Sequence, residues 1–322
     1  MVSELRPAAA GGGLSENTRG ALYMMASMAG FSLNDALIKS VADDLPLFQA
    51  VFLRGLVATA LIGLLAASQG VFRFRPGRHD RRMIGQRAFA EVAGTVCFLT
   101  ALFNMPIANA TAILQSVPLA VTLGAALFLG EQVGWRRYLA IGIGFLGVLI
   151  IVRPGSEGFN AYALLALAAI VFIVLRDLST RSLTPDAPAS YVVFLTSVAM
   201  TAAAGLAAAA TDWRPFTHVH MLTLAGSGFA LLLGYVFGVM TMRIGEIGFT
   251  QPFRYSLIVW AILAGIVMFD EWPDGWMLAG TAIVVATGMF TFYRERGLGV
   301  RRPPAPLAPP GPPGPGGPAS AA

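Results

Sequence analysis

An all-α integral membrane protein of ten transmembrane helices, arranged as two inverted five-helix repeats, is what this sequence predicts, and three observations carry that expectation. The chain is 56% hydrophobic and 12% charged, with a mean hydropathy of +0.69 over 322 residues, and a water-soluble domain of that length needs far more charge to cover itself. Its apolar residues fall into ten runs of membrane length. The runs also resemble one another at a spacing of about 140 residues.

The first span is placed at 20–39, with Asn34 and Asp35 near its end, and the second at 46–67, containing Arg54. The FRFRPGRHDRRM that follows is read as a loop, because Pro76 and Gly77 interrupt any helix. The third span, 83–104, carries Gln86, Arg87 and Glu91, and the fourth, 107–129, contains Pro118. Spans at 138–152, 162–178, 189–210 and 221–242 come next. The ninth, 248–269, carries Arg254 on its first two turns; at roughly 1.5 Å per residue it is about 33 Å long, enough to cross a bilayer. The tenth is 275–293. Residues 1–17 and the Pro/Gly-rich 297–322 are expected to be disordered tails. No cleavable signal peptide is read at the start, since the first apolar run is too long and further spans follow.

The repeat divides the chain into 18–153 and 154–296. Asp35 falls on Asp177, Lys39 on Arg181, Pro46 on Pro188, Val51–Leu53 on Val193–Leu195 and Gly63 on Gly205, all 142 residues apart. Further along the spacing is 140, which sets Gln115 on Tyr255, Ser116 on Ser256 and Glu131 on Glu271. Five crossings are an odd number, so the second half enters from the opposite face and the halves are related by a pseudo-two-fold axis in the membrane plane. Such repeats suit a transporter, because two near-equivalent halves can rock around a site at the midplane. The plainer alternative is a duplication that only built a stable bundle.

Arginines crowd the tails and the loops after spans two, four, six and eight, whereas the opposite loops hold Asp43, Asp44, Asp212, Asp270, Glu271 and Asp274. By the positive-inside rule both termini are cytoplasmic, in a multi-pass protein of a bacterial inner membrane. The net charge of +5 is thereby given a membrane explanation, and nucleic acid is not an expected partner. The single cysteine, Cys97, excludes an internal disulfide. His79, His218 and His220 are all read as loop residues, so an intramembrane protease lacks its base or its metal ligands; no metal or cofactor is expected. GIGFLG at 142–147 matches a dinucleotide fingerprint but lies inside an apolar span, where it reads as a small-residue packing face, as do Gly234 and Gly238.

Charge inside the spans points to a site. Arg54, Glu91 and Arg254 each sit inside a helix, where an ionised group costs roughly 2.5–3.5 kcal/mol on insertion scales and should face a cavity or a partner; the alternative for Arg54 is a structural ion pair or a reach toward the outer headgroups, and for Arg254, nearer the cytoplasmic end, snorkelling to the interface. Arg54 and Arg254 favour an anionic or electron-rich small organic metabolite; Glu91 either pairs with Arg54 or carries a coupling proton. Asn34, Gln115, Tyr235, Gln251, Tyr255 and Trp260 complete the candidate substrate contacts, since amides and aromatic faces orient a flat organic ligand. Tyr255 and Trp260 lie about 140° apart on a helix, so both cannot face one cavity squarely. Pro118 and Pro252 interrupt their helices and are either bending points or static kinks.

On these residues the chain resembles the EamA-type branch of the drug/metabolite transporter superfamily. The resemblance covers 19–296 and rests on the ten spans, the five-plus-five duplication, GAALFLGE at 124–131 and PFRYSLIVWAILAGIVMFDEWPD at 252–274. The second of these segments is similar to a subgroup with proposed substrates such as riboflavin, S-adenosylmethionine or amino acids. The family implies a central cavity, alternating access, no enzymatic activity and no ATP hydrolysis; the expected cargo is riboflavin. One departure is Ile258, which stands where a proline is common in the family's second-half helix. An exporter of amino acids or drug-like metabolites is the alternative within the class, and a non-transporting membrane enzyme or assembly factor the alternative outside it.

Overall fold

A computed structural model describes residues 15–130, 133–155, 160–244 and 247–297. The tails expected to be disordered fall mostly outside those residues, as does Glu131. Among the described residues the chain is all helical: α1 Glu16–Lys39, α2 Leu47–Ser68, α3 Arg78–Asn104, α4 Ile107–Leu114, α5 Val117–Phe128, α6 Trp135–Val152, α7 Ala163–Arg181, α8 Ala189–Ala209, α9 His218–Ile244, α10 Ile247–Thr250, α11 Ser256–Phe269 and α12 Gly275–Gly297. Eight segments are long and apolar enough to cross a membrane, counting α4 with α5 as one and the stretch Gln251–Phe269 as another. The two long helices outside that group, α1 and α3, are the ones diluted by polar and charged residues.

Helix ends follow local chemistry. Ser15 caps α1 by accepting the Thr18 amide, which starts the helix four residues before the expected Gly20. Gly77 ends the arginine-rich loop and α3 begins at Arg78, so His79 sits in a first turn, as His218 and His220 do in α9, and not in a loop. The fourth span is broken at Gln115–Ser116, just ahead of Pro118. The ninth is broken by a 3-10 turn, Gln251–Tyr255, containing Pro252. Proline removes an amide donor and forbids a continuous helical ladder, which accounts for both interruptions.

The helices pack in pairs: α1 along α9, α3 along α7, α2 along α8 and α6 along α12. Small residues permit the closest approaches. A Cβ on Gly30 would stand 2.8 Å from the Gly234 amide nitrogen, and one on Gly147 would stand 2.9 Å from the Gly280 carbonyl oxygen. Gly144 and Gly147 thus form the packing face read from GIGFLG, while Gly142 faces open space. Between α2 and α8, Thr59 Oγ1 meets Thr201 Oγ1 at 2.9 Å. On either side of that contact Gly63 is pressed against the ring of Phe194 and Gly205 against the ring of Phe52.

The chain turns at two ends. At the acidic end, Lys39 Nζ donates to Glu271 Oε1 at 2.6 Å and to the Met105 carbonyl at 2.7 Å, and the Ile107 amide donates to Glu271 Oε2 at 2.8 Å. Arg153 pairs with Asp274, and Arg214 donates to the carbonyls of Asp43 and Asp44. Beside these ties lies densely packed core, including Ile38, Leu45, Leu102, Ile107, Ile151 and Ala163. At the arginine-rich end, Asp80 accepts from the Thr184 amide at 3.1 Å and the Thr184 hydroxyl at 2.8 Å. Those two bonds favour the carboxylate and hold Asp80 below the usual aspartate range.

Candidate functional site

The polar side chains that α1, α2, α3, α7 and α9 turn inward form two clusters. Asn34 on α1 is the hub of the first. Arg54 Nη1 donates to Asn34 Oδ1 at 3.1 Å, Ser227 Oγ on α9 donates to the same oxygen at 2.9 Å, and Asn34 Nδ2 donates to Asp35 Oδ1 at 2.8 Å. Arg54 is only 7% exposed, and its Nε has no hydrogen-bond partner among the described residues. An arginine this deep in a membrane helix is tolerable only because the amide and carboxylate of α1 face it.

A second cluster lies toward the arginine-rich end. Glu91 stands between Arg87, at 3.9 Å, and Arg176, at 3.7 Å. Arg176 Nε donates to Asp177 Oδ1 at 2.9 Å, and Arg87 Nη1 donates to Thr180 Oγ1 at 2.6 Å. Glu91 is therefore not the direct partner of Arg54. The two clusters still share one field, because Glu91, Asp35 and Tyr235 all lie within electrostatic range of Arg54. Tyr235 lies within electrostatic range of both and packs edge-on against Phe31, ring centres 5.4 Å apart.

The helix breaks supply a third group. Gln115, at the α4–α5 break, donates through Nε2 to the Tyr255 carbonyl at 3.2 Å. That carbonyl belongs to the 3-10 turn before α11, so one interrupted helix satisfies the backbone of the other. Gln251 and Tyr255 are buried on the same turn, and the Tyr255 hydroxyl is pressed against Gly288 of α12. Arg254 completes the turn and lies in the field of Asp177, Arg176 and Tyr255.

Of the nine residues expected at the site, the structure gathers Asn34, Arg54, Glu91 and Tyr235 into the two linked clusters. It sets Gln115, Gln251, Arg254 and Tyr255 around the breaks. Trp260 is not among them: five residues beyond Tyr255, it is 36% exposed on the outer face of α11. Sequence reasoning missed Asp35, Arg87, Arg176, Asp177 and Ser227. Arg176 stands five residues inside the end of α7, near the end of the span expected at 162–178. Its neighbour Asp177, aligned with Asp35 across the repeat, was the available signal.

In charge, the interior holds Arg54, Arg87, Arg176 and Arg254 against Asp35, Glu91 and Asp177. Both signs are present, with arginine in slight excess. Such an arrangement can bind a carboxylate or other electron-rich group while offering a carboxylate to a cation or proton.

Residues 18–153 match the EamA-like transporter family. The chain is 30% identical over 276 residues to a pseudopaline exporter of Pseudomonas aeruginosa, an alignment that covers 82% of this chain and 92% of that one. It is 28% identical over 278 residues to a riboflavin transporter of Vibrio cholerae, covering 84% and 92%. It is 26% identical over 277 residues to an S-adenosylmethionine uptake transporter of Rickettsia bellii, covering 85% and 93%. A crystal structure covering 88% of this chain and 99% of its own superposes with a TM-score of 0.60 at 18% identity, a likeness of fold.

Proposed function

The chain belongs to the EamA-like transporter family, and we propose that it is a secondary transporter moving a small organic metabolite across a bacterial inner membrane by alternating access. The observation that carries this reading is the pair of charged clusters, buried Arg54 with Asn34 and half-buried Glu91 with Arg176, inside a multi-pass membrane bundle. Ionised groups are expensive there, and a cargo path is what they serve.

Two inverted five-helix halves, with both termini cytoplasmic, are part of the proposal. Supporting them, the packing pairs exchange under a shift of one half: α1 with α9 corresponds to α7 with α3, and α2 with α9 to α8 with α3. Thr59 touches Thr201, its own equivalent 142 residues on, and the Gly63–Phe194 and Gly205–Phe52 contacts are mirror copies of each other. Gln115 likewise bonds the backbone of its equivalent, Tyr255. The arginine bias of the loops supports the orientation.

Riboflavin is the first cargo to test, on the strength of the aromatic and amide groups around Tyr235, Gln115 and Tyr255 and of the similarity to a riboflavin transporter. The mixed charges favour a second reading, a zwitterionic head such as the amino-acid moiety of S-adenosylmethionine. Uptake or counterflow of labelled riboflavin and S-adenosylmethionine in proteoliposomes decides between them. Arg54→Ala and Glu91→Gln are expected to lose transport of whichever is carried; full activity in both removes those residues from the mechanism.

A further inference from the structure

Asp35 is a half-buried carboxylate on α1. Its only hydrogen bond is the one from Asn34 Nδ2, and it makes no ion pair among the described residues. Arg54, the cation facing it from α2, spends its Nη1 on Asn34 instead. Glu91 from α3 and Tyr235 from α9 act on the same arginine. Arg254, on the 3-10 turn, lies in the field of Asp177 and Arg176.

One further cation lies on the same helix. Lys39 stands four residues after Asp35 on α1, and residues so spaced share a helix face. In this structure Lys39 is held by Glu271 at the end of α11 and by the Met105 carbonyl between α3 and α4. That tie joins three elements at the acidic end, alongside the dense core. Across the repeat, the spacing of Asp35 and Lys39 recurs as Asp177 and Arg181.

We propose that Asp35 is the proton-binding carboxylate of the path and that Lys39 is its alternative partner, so that loss of the proton draws Lys39 off Glu271 and unlatches the acidic end. This rests on the alternating-access reading above and adds to it what couples the gate to a proton. With Asp35 neutral, Lys39 has Glu271 as its anionic partner and the latch stays shut. With Asp35 ionised, it competes with Glu271 for the ammonium, on which Asp43 also acts, and the four-carbon stem of the lysine can turn to any of them. One ion pair is exchanged for another, and a single proton is the only species gained or lost.

The test needs no cargo. Ala108 is 2% exposed and follows Ile107, whose amide Glu271 accepts. In full-length protein carrying Cys97→Ala and Ala108→Cys, reconstituted in vesicles, a membrane-impermeant thiol reagent is added on the acidic side across a pH series. Rates are divided by those of the same cysteine in Glu271→Gln, where the latch is absent, which removes the thiol's own ionisation. The ratio is expected to rise on the order of tenfold from acid to alkaline pH. In Asp35→Asn it stays low at every pH, and Asp35→Glu restores the rise. Lys39→Met labels at the unlatched rate throughout. An unchanged pH rise in Asp35→Asn, or fast labelling of that variant at every pH, overturns the proposal while leaving alternating access standing. No labelling in any variant, Glu271→Gln included, counts against alternating access itself and takes the proposal with it.

Discussion

Removing either member of the Lys39–Glu271 pair is expected to destabilise the protein more than removing both. The side chains are 10% and 21% exposed, so each charge is largely out of water. Leaving one of a buried pair unpartnered costs about 3–5 kcal/mol. Here the orphan keeps some support, because Lys39 retains the Met105 carbonyl and Glu271 retains the Ile107 amide. Partial exposure and these residual bonds bring the expected loss to about 2–3 kcal/mol for Lys39→Met or Glu271→Gln. Methionine keeps the apolar stem beside Phe269, whose ring centre lies 5.0 Å from the ammonium, so the loss isolates charge from packing. At roughly 2–4 °C per kcal/mol for chains of this order, each single variant is expected to melt about 5–10 °C lower in detergent. The double variant should lie above the sum of the singles, since it strands no charge. Single variants that melt with the wild type, or effects that simply add, would refute the claim that the two groups form one buried tie.

Three further outcomes follow from packing and charge. Gly63→Ala and Gly205→Ala are expected to destabilise by similar amounts, about 1–3 kcal/mol each, because an added Cβ would stand 2.9 Å from Phe194 in one and 2.7 Å from Phe52 in the other. Denaturant or thermal unfolding checks this, and a tolerated pair would mean that the α2–α8 contact is loose. Gly288→Ala drives a methyl into the Tyr255 hydroxyl, so transport should fall while Gly142→Ala, which meets open space, leaves it unchanged. Asp80, held below the usual aspartate range by Thr184, contributes stability that is complete above the ordinary value of about 3.9 and is lost as pH falls through the depressed value. The stability gap between wild type and Asp80→Asn should therefore persist at neutral pH and close only in stronger acid; a gap that closes near neutrality contradicts it.

The helices were largely legible because their signal is local. Runs of apolar residues marked the helix positions to within a few residues, and eight of the segments are long and apolar enough to cross a membrane. Pro118 and Pro252 marked both interruptions, since a missing amide acts where it stands. The ends of α1 and α3 extend further than hydropathy suggested, because Ser15 and Gly77 start those helices in polar sequence. The site was half legible. Arg54, Glu91 and Asn34 stood out as costly groups in apolar surroundings. Which arginine faces Glu91 depends on how α3 lies against α7, and a contact between residues 85 positions apart leaves no mark in either segment. Lys39, at the end of the first span, and Glu271, a loop charge, carried no sign of each other for the same reason, though they pair across 232 positions of chain.

Access to the site from both membrane faces tests the central claim most directly. Tyr235→Cys, at a residue within electrostatic range of both charge clusters, can be challenged in a Cys97→Ala background with an impermeant thiol reagent from either side of sealed vesicles of known orientation. The account predicts labelling from both sides, with saturating cargo shifting the balance between them. Labelling from one face alone under every condition would contradict it.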